Sequence, residues 1–261
     1  MRRFKPRLFV ILLIAGMTGV ISFLLVDLSA LLANLPAEAR ANSTFSPFVL
    51  KLLSVLQASV MLSIAVVVGV ALADKVGLSS PAAEALAGGG RPLADLKPQI
   101  VPGIIGGLAG GIGIALTWLL WQPFLSPTFV SRAEQLNGVL PFPTRVLYGG
   151  ITEELLLRWG VMTLLVWLAW RLIQKANGKP RAACFVSAII VSSLLFGLGH
   201  LPLVRAMDVD FTAAVVSYIV VANGLFGLVA GYLFWKKGLE SAMIAHMLAH
   251  VVIVTVLYLG V

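Results

Sequence analysis

The chain has 261 residues, of which 59% are hydrophobic and only 11% are charged. Its mean hydropathy is +1.00, and soluble domains typically carry about 25% charged residues, so a water-soluble fold is excluded. The formal net charge of +8 does not indicate a nucleic-acid-binding protein, because the Lys and Arg residues stand beside apolar runs and not on one amphipathic face.

Seven apolar runs are long enough to cross a bilayer as helices, which takes about 20 residues each. They lie at residues 8–32, 48–73, 100–121, 145–170, 183–201, 211–235 and 239–260. None of them alternates polar and apolar residues as a barrel strand does. The sequence therefore predicts an all-α protein, a polytopic transmembrane helical bundle of about seven spans.

The sequence allows two further predictions, one for the first span and one for the segment between spans two and three. The first span could be a cleaved signal peptide, since Ala37 and Ala39 form a small-x-small pattern. Its apolar stretch is longer than a typical signal core, so we expect a retained anchor.

Residues 74–98 are rich in Ser, Pro and Gly and predict a mobile cytoplasmic loop that could carry one short surface helix.

Basic residues mark one side of the membrane. They stand at the amino terminus, between spans four and five, and between spans six and seven, as Arg2, Arg3, Lys5, Arg7, Arg171, Lys175, Lys179, Arg181, Lys236 and Lys237. The positive-inside rule makes that side, with the amino terminus, cytoplasmic. Together with the short loops, this pattern leads us to expect an integral protein of a bacterial inner membrane, in contact with lipid.

Glycines recur at four-residue intervals in two spans. Gly103, Gly107 and Gly111 lie in span three, and Gly227 and Gly231 lie in span six. Small residues at this spacing let neighbouring helix backbones approach closely. We interpret them as packing residues.

Span four contains three charged residues in the string Glu153 to Arg158. A charge at bilayer depth costs about 2.5–3.5 kcal/mol on insertion scales, so each needs a reason. Glu154 and Arg158 are four residues apart and can neutralise one another on one helix face. Glu153 points about 100° away from Glu154 and remains available for another partner, which suits a group that exchanges protons with water.

All three histidines fall in or at the ends of spans. His200 closes the string FGLGH, and Pro202 disfavours helix at the residue before it, so His200 should lie in the last turn of span five. The carbonyl end of that helix favours a cation. His246 and His250 are four residues apart in span seven, which places both rings on one face.

Two chemistries fit this set of side chains. Glu153, His200, His246 and His250 could hold zinc, whose bound water becomes nucleophilic near neutral pH. Without metal, Glu153 could take a proton from water with the help of one histidine while other rings stabilise an oxyanion. The zincin motif H-E-x-x-H is absent. At about 1.5 Å per residue, His200 and His246 fall at different depths, so one shared site requires tilted or shortened spans.

Three separated strings together resemble one known family. They are Glu153, Glu154 and Arg158; Phe196 and His200; and His246 with His250. The combination is similar to the CPBP family of intramembrane proteases, which includes the type II CAAX prenyl endopeptidases and bacteriocin-immunity proteins. The resemblance covers about residues 145 to 252, so we divide the chain into N-terminal helices and loop, 1–144, and a catalytic core, 145–261.

The resemblance implies a membrane-embedded endopeptidase that cleaves a membrane-associated polypeptide. Glu153 would activate water with His200, while His246 and His250 would support the oxyanion. The family commonly has asparagine at the position of His250, and an imidazole there could donate one hydrogen bond or ligate metal. Zinc-assisted and glutamate-dependent mechanisms therefore both stay open.

Two other functions remain alternatives. The first is a proton- or ion-coupled transporter in which Glu153 and the histidines form a relay, although the sequence lacks the internal repeats of many carriers. The second is a non-catalytic immunity protein with the same fold. No nucleic-acid partner is expected.

Overall fold

The computed structural model describes residues 4–29 and 45–258, apart from the side chain of Ala206. Within these ranges the chain is helical and contains no β-strand. Seven of the described helices are long and apolar enough to cross a membrane. The predicted all-α fold with seven spans is confirmed, and the chain is an integral membrane protein.

The helices are numbered in chain order. Their bounds are α1 Pro6–Ser22, α2 Pro47–Val76, α3 Pro81–Gly88, α4 Pro92–Trp121, α5 Pro127–Val139, α6 Phe142–Ile173, α7 Ala182–Gly199, α8 Leu201–Ala206, α9 Ala213–Lys236 and α10 Leu239–Tyr258. Short 3₁₀ turns extend α1 to Leu25 and α4 to Phe124. The spans are α1, α2, α4, α6, α7 with α8, α9 and α10.

Capping residues set many of the helix starts. Proline occupies the first turn of α1 to α5, where its missing N–H leaves no hydrogen bond unmade. The hydroxyls of Ser46, Ser126 and Thr212 accept hydrogen bonds from N–H groups in the first turns of α2, α5 and α9. Each cap satisfies a donor that the helix itself cannot pair.

Two predicted boundaries differ from the structure. The first span ends at Leu25, about seven residues before the predicted end at residue 32, and the residues that would show a cleavage site, Ala37 and Ala39, lie outside the described residues. Residues 74–98 are mostly helical, because α2 runs to Val76, α3 follows, and α4 already begins at Pro92. The Pro and Gly residues there start and end helices and do not form a long loop.

Close helix packing at the glycines is confirmed. A Cβ atom added at Gly103, Gly107 or Gly111 would lie 2.7–2.8 Å from atoms of α10. One added at Gly227 would lie 2.8 Å from the side chain of Ser193 in α7, and one at Gly231 would meet Ile189. These contacts bring α4 against α10 and α9 against α7.

Helix α6 departs from regular α-helical winding. It is π-helical over Arg145–Glu153, Leu155–Met162 and Ala169–Ile173. In a π-helix each N–H bonds to a carbonyl five residues earlier, and such segments often lie at functional sites. The two predicted glutamates stand where the first of these segments meets the second.

Candidate active site

Glu154 lies on a sealed face of α6. Its side chain is 0% exposed, and its Oε1 accepts a 2.7 Å hydrogen bond from Nδ1 of His246. Its Oε2 forms an ion pair with Nε of Arg158 at 3.3 Å. The predicted Glu154–Arg158 pair is confirmed, and His246 in α10 joins it as a third member.

Arg158 is held from two further directions. Its Nη2 donates a hydrogen bond to the carbonyl of Gly227 in α9 at 3.2 Å, and its guanidinium carbon lies 5.0 Å from the centre of the Phe196 ring in α7. A carboxylate, a carbonyl and an aromatic face together offset the desolvation of this buried cation. The charge pair therefore ties α6 to α7, α9 and α10.

Glu153, one residue earlier, faces an open cavity instead. Its side chain is 19% exposed, and its Oε2 lies 3.8 Å from Nε2 of His246. That separation is longer than a hydrogen bond, so the two groups are neighbours without a direct bond. The sequence prediction that the two glutamates point in different directions agrees with this arrangement.

The hydrogen bond to Glu154 defines which nitrogen of His246 faces Glu153. An ionised carboxylate only accepts hydrogen bonds, so Nδ1 of His246 carries the hydrogen. In the neutral ring, Nε2 then has a lone pair and faces Glu153. The ring is 6% exposed, so Glu154 holds it in one orientation between the sealed face and the cavity.

His200 stands directly after the last residue of α7, as Pro202 predicted. Its Nδ1 lies 2.8 Å from the carbonyl oxygen of Phe196, to which it donates a hydrogen bond, so Nε2 of the neutral ring is an acceptor. Phe196 is buried and contacts both the His200 ring, at 4.8 Å between centroids, and the His246 ring, at 5.8 Å. Phe196 thus packs between two histidines that come from different spans.

His250 stacks on His246, as the four-residue spacing predicted. The two ring centroids are 5.0 Å apart and the planes differ by 9°. A Cβ atom at Gly149 of α6 would overlap the His250 ring, and one at Gly150 would overlap Met247. The paired glycines therefore allow α10 to lie directly against the part of α6 that precedes Glu153.

One cavity connects these groups. It has a volume of about 430 Å³, and Glu153, His200, His246 and His250 all line it, within the range of about 300–1,000 Å³ that is usual for ligand pockets. His200 and His246 therefore share one cavity, although the rise per residue predicted different depths for them. Glu154 and Arg158 do not line the cavity.

Seven polar side chains of the cavity were not predicted from the sequence. They are Lys51, Ser54, Thr144, Arg145, Tyr148, Tyr218 and Asn223. Arg145 donates hydrogen bonds to the side chain and carbonyl of Asn137 and to the carbonyl of Leu140. Asn223 could have been identified from the sequence, because it is an amide side chain inside an apolar span. Its Nδ2 donates a hydrogen bond to the Ile219 carbonyl at 2.8 Å.

The four predicted zinc ligands, Glu153, His200, His246 and His250, lie together along the cavity. The described ranges contain no group of three or more His, Cys, Asp or Glu side chains placed to hold a metal ion. Nδ1 of His246 is engaged by Glu154, so Nε2 is the ring nitrogen that could ligate a metal ion. The predicted ligand set His200, His246, His250 and Glu153 shares a cavity without forming such a group.

Comparisons with known proteins agree with these features. Residues 135–252 match the family model described as Type II CAAX prenyl endopeptidase Rce1-like, whereas searches of curated proteins and of solved structures give no match. The matched residues include every predicted site residue and leave the first three spans outside. At the level of the family, the match supports an intramembrane CAAX-type protease. Residues 135–252 of this integral membrane chain therefore carry a domain that matches the type II CAAX prenyl endopeptidase Rce1-like family model.

Proposed function

We propose that the protein is an intramembrane endopeptidase that hydrolyses a peptide bond of a membrane-associated polypeptide with water activated by Glu153. The observation that carries this proposal is that Glu153, His200, His246 and His250, from three separate spans, line one cavity. Buried ionisable groups are expensive in a membrane. Their convergence on a cavity that water can enter is what a hydrolase requires.

Glu153 is the proposed general base. It is the more exposed of the two glutamates and lacks the buried ion pair that holds Glu154. A water in the cavity can give its proton to Glu153 and attack the peptide carbonyl. His200 assists, because its bond to the Phe196 carbonyl leaves Nε2 free to orient that water.

His246 is the proposed oxyanion support, and Glu154 its positioning residue. Since Nδ1 is bound to Glu154, His246 can donate from Nε2 only as an imidazolium. Glu154 stabilises that cation, much as the aspartate of a serine-protease triad orients and stabilises its histidine. The charged ring would then stand where negative charge develops on the peptide oxygen. His250, stacked on it, is a second candidate donor.

Zinc assistance remains a separate prediction, which metal analysis tests. A purified protein that retains stoichiometric zinc, and loses both zinc and cleavage on His246→Ala, would favour ligation. Cleavage that persists in the protein stripped of metal would favour the glutamate-dependent route. His250→Asn adds a discriminating variant, because an amide replaces the imidazole as a hydrogen-bond donor far better than as a zinc ligand.

Cleavage in proteoliposomes tests the proposed function. The probe is a set of fluorescently labelled single-span polypeptides, incubated with wild-type protein, Glu153→Gln or His200→Ala. We expect wild type to release a labelled fragment and both variants to lose that activity. Thr255→Val, at an exposed position of α10 outside the cavity, is the matched control and should keep it. Equal cleavage by wild type and Glu153→Gln would contradict the proposal, and substrate-driven proton movement without cleavage would favour the transporter.

A further inference from the structure

The two ends of the helix bundle carry very different charge. By sequence, 13 of the 19 Lys and Arg residues lie at the end that contains the amino terminus, namely Arg2, Arg3, Lys5, Arg7, Lys75, Arg91, Lys97, Arg171, Lys175, Lys179, Arg181, Lys236 and Lys237. The opposite end has Arg40, Lys51, Arg132, Arg145 and Arg205, balanced by Asp27, Glu38, Glu134, Asp208 and Asp210. We refer to these as the basic end and the neutral end.

The basic end is closed by contacts between helices. Lys5 and Asp74 form a 2.7 Å ion pair between α1 and α2. Glu240 at the start of α10 accepts hydrogen bonds from the Ser80 hydroxyl and the Ala83 N–H, which ties α3 to α10. Gln99 of α4 accepts from the N–H of Ser241. The helix ends are therefore joined where the basic residues lie.

Among the described residues, the cavity opens at the neutral end. Its lining includes Phe23 from the 3₁₀ turn after α1 and Lys51 from the first turns of α2, together with Leu203 of α8, Tyr218 near the start of α9 and Ile253 near the end of α10. All five positions are at the neutral ends of their spans. No lining residue comes from the segments that join the spans at the basic end.

Helix α5 covers part of this opening. It lies between α4 and α6 at the neutral end, and Phe129 on its inner face is buried against Tyr218 of α9. Leu136 of α5, and Leu140 directly after it, line the cavity. The three hydrogen bonds from Arg145 hold the end of α5 against the start of α6. The cavity entrance is thus bounded by a helix that lies on the neutral side of the membrane.

We infer that the cavity opens to the non-cytoplasmic side of the membrane, and that the substrate is a polypeptide whose scissile segment lies on that side. The positive-inside rule places the basic end in the cytoplasm, so the neutral end and the cavity face outward. A cytosolic carboxyl-terminal motif could not reach Glu153 from the closed basic end. The assignment of the side rests on charge and geometry alone, whereas the substrate class also rests on the proposed protease function.

Cysteine labelling tests the side to which the cavity opens. Cys184 is the single cysteine of the chain and is replaced by alanine to give a cysteine-free background. Ser131→Cys on α5 and Ser54→Cys in the cavity lining probe the neutral end, and Asn177→Cys between α6 and α7 probes the basic end; all three positions are exposed. A membrane-impermeant maleimide on intact cells should label positions 131 and 54, and label 177 only after permeabilisation. The reverse pattern, or equal labelling at both ends, would overturn the inference.

Vesicles of known orientation test the substrate class separately. The probes are two single-span polypeptides with the same flanking segment, inserted so that this segment lies either on the side of position 131 or on the side of position 177. We expect a fragment only from the first probe, and its loss in Glu153→Gln. Cleavage of the second probe alone would overturn the inference while the protease function stands. Cleavage of neither probe, with the expected labelling, would remove the substrate class along with the proposed function.

Discussion

Helix α6 presents two faces that differ although their carboxylates are neighbours in the sequence. On one face, Glu154 and Arg158 are 0% and 1% exposed and their charges compensate one another. On the other, Glu153 is 19% exposed and faces a cavity lined by three histidines. The sealed face joins spans, and the open face offers a carboxylate to water. His246 belongs to both, since its two nitrogens face the two glutamates.

This difference explains why two adjacent acidic residues need not share a role. A compensated charge in a sealed environment is costly to disturb, so it suits a fixed support. A carboxylate that meets water can change its protonation within a reaction cycle. Substitutions that remove a charged group from one face or from the other test this difference.

Removing the Arg158 charge should have the largest effect. Arg158→Met leaves Glu154 as an uncompensated buried charge, and breaking such a pair costs about 3–5 kcal/mol. We expect the free energy of unfolding in detergent to fall by that amount, with loss of activity as a consequence. Arg171→Met, at an exposed position of the same helix, is the control and should change stability little.

A second variant separates charge compensation from side-chain volume. The double substitution Glu154→Gln with Arg158→Met removes both charges, so it should recover part of the lost stability. A single Arg158→Met variant as stable as wild type would show that the sealed face does not depend on its charge pair.

Glu153→Gln should affect catalysis and leave folding intact. General acid–base catalysis contributes about 10²–10⁴-fold to rate, so we expect cleavage to fall by that factor and the unfolding midpoint to stay unchanged. Glu154→Gln is the matched comparison and should lower stability as well as rate, because it weakens the bonds to His246 and Arg158. If both substitutions reduced stability equally, the two faces would not differ as argued.

Gly149→Ala should disturb the open face through packing. The added Cβ would overlap the His250 ring, and overpacking of this kind typically costs about 1–3 kcal/mol. Gly113→Ala is the control, because a Cβ there meets no atom within 4 Å. The double variant Gly149→Ala with His250→Ala removes the overlapping ring and should regain stability, as a thermal unfolding series in detergent would reveal. No recovery would mean that the glycine serves some purpose other than making room for His250.

Much of the fold and of the site follows from the sequence, since both depend on strong local signals. Apolar length determines the spans, and four-residue spacing alone places Glu154 by Arg158 and His246 by His250. These relations lie within single helices. They need no knowledge of which helices are neighbours.

The remaining features depend on contacts between helices and could not be predicted in the same way. The hydrogen bond from His246 to Glu154 spans 92 positions of the chain, and the cavity position of Asn223 depends on how α9 packs. The π-helical winding of α6 has no signal in its hydrophobic pattern. The short helix expected within residues 74–98 is present as α3. The lengths of α2 and α4 on either side of it were underestimated, because Pro and Gly mark the ends of helices as readily as they mark loops.

A substitution on a third face of α6, which contacts α1, should have the smallest effect on the free energy of unfolding. Thr152 is fully buried and its hydroxyl donates a 2.7 Å hydrogen bond to the carbonyl of Gly16 in α1. Interhelical hydrogen bonds in membranes contribute only about 0.6 kcal/mol on average, so Thr152→Val should reduce the free energy of unfolding by about that much and leave cleavage unchanged. Thr255→Val, whose hydroxyl bonds within its own helix, should have no measurable effect on stability. A loss for Thr152→Val comparable with that for Arg158→Met would indicate that polar contacts in general, and not the compensated charge pair, hold α6 in place.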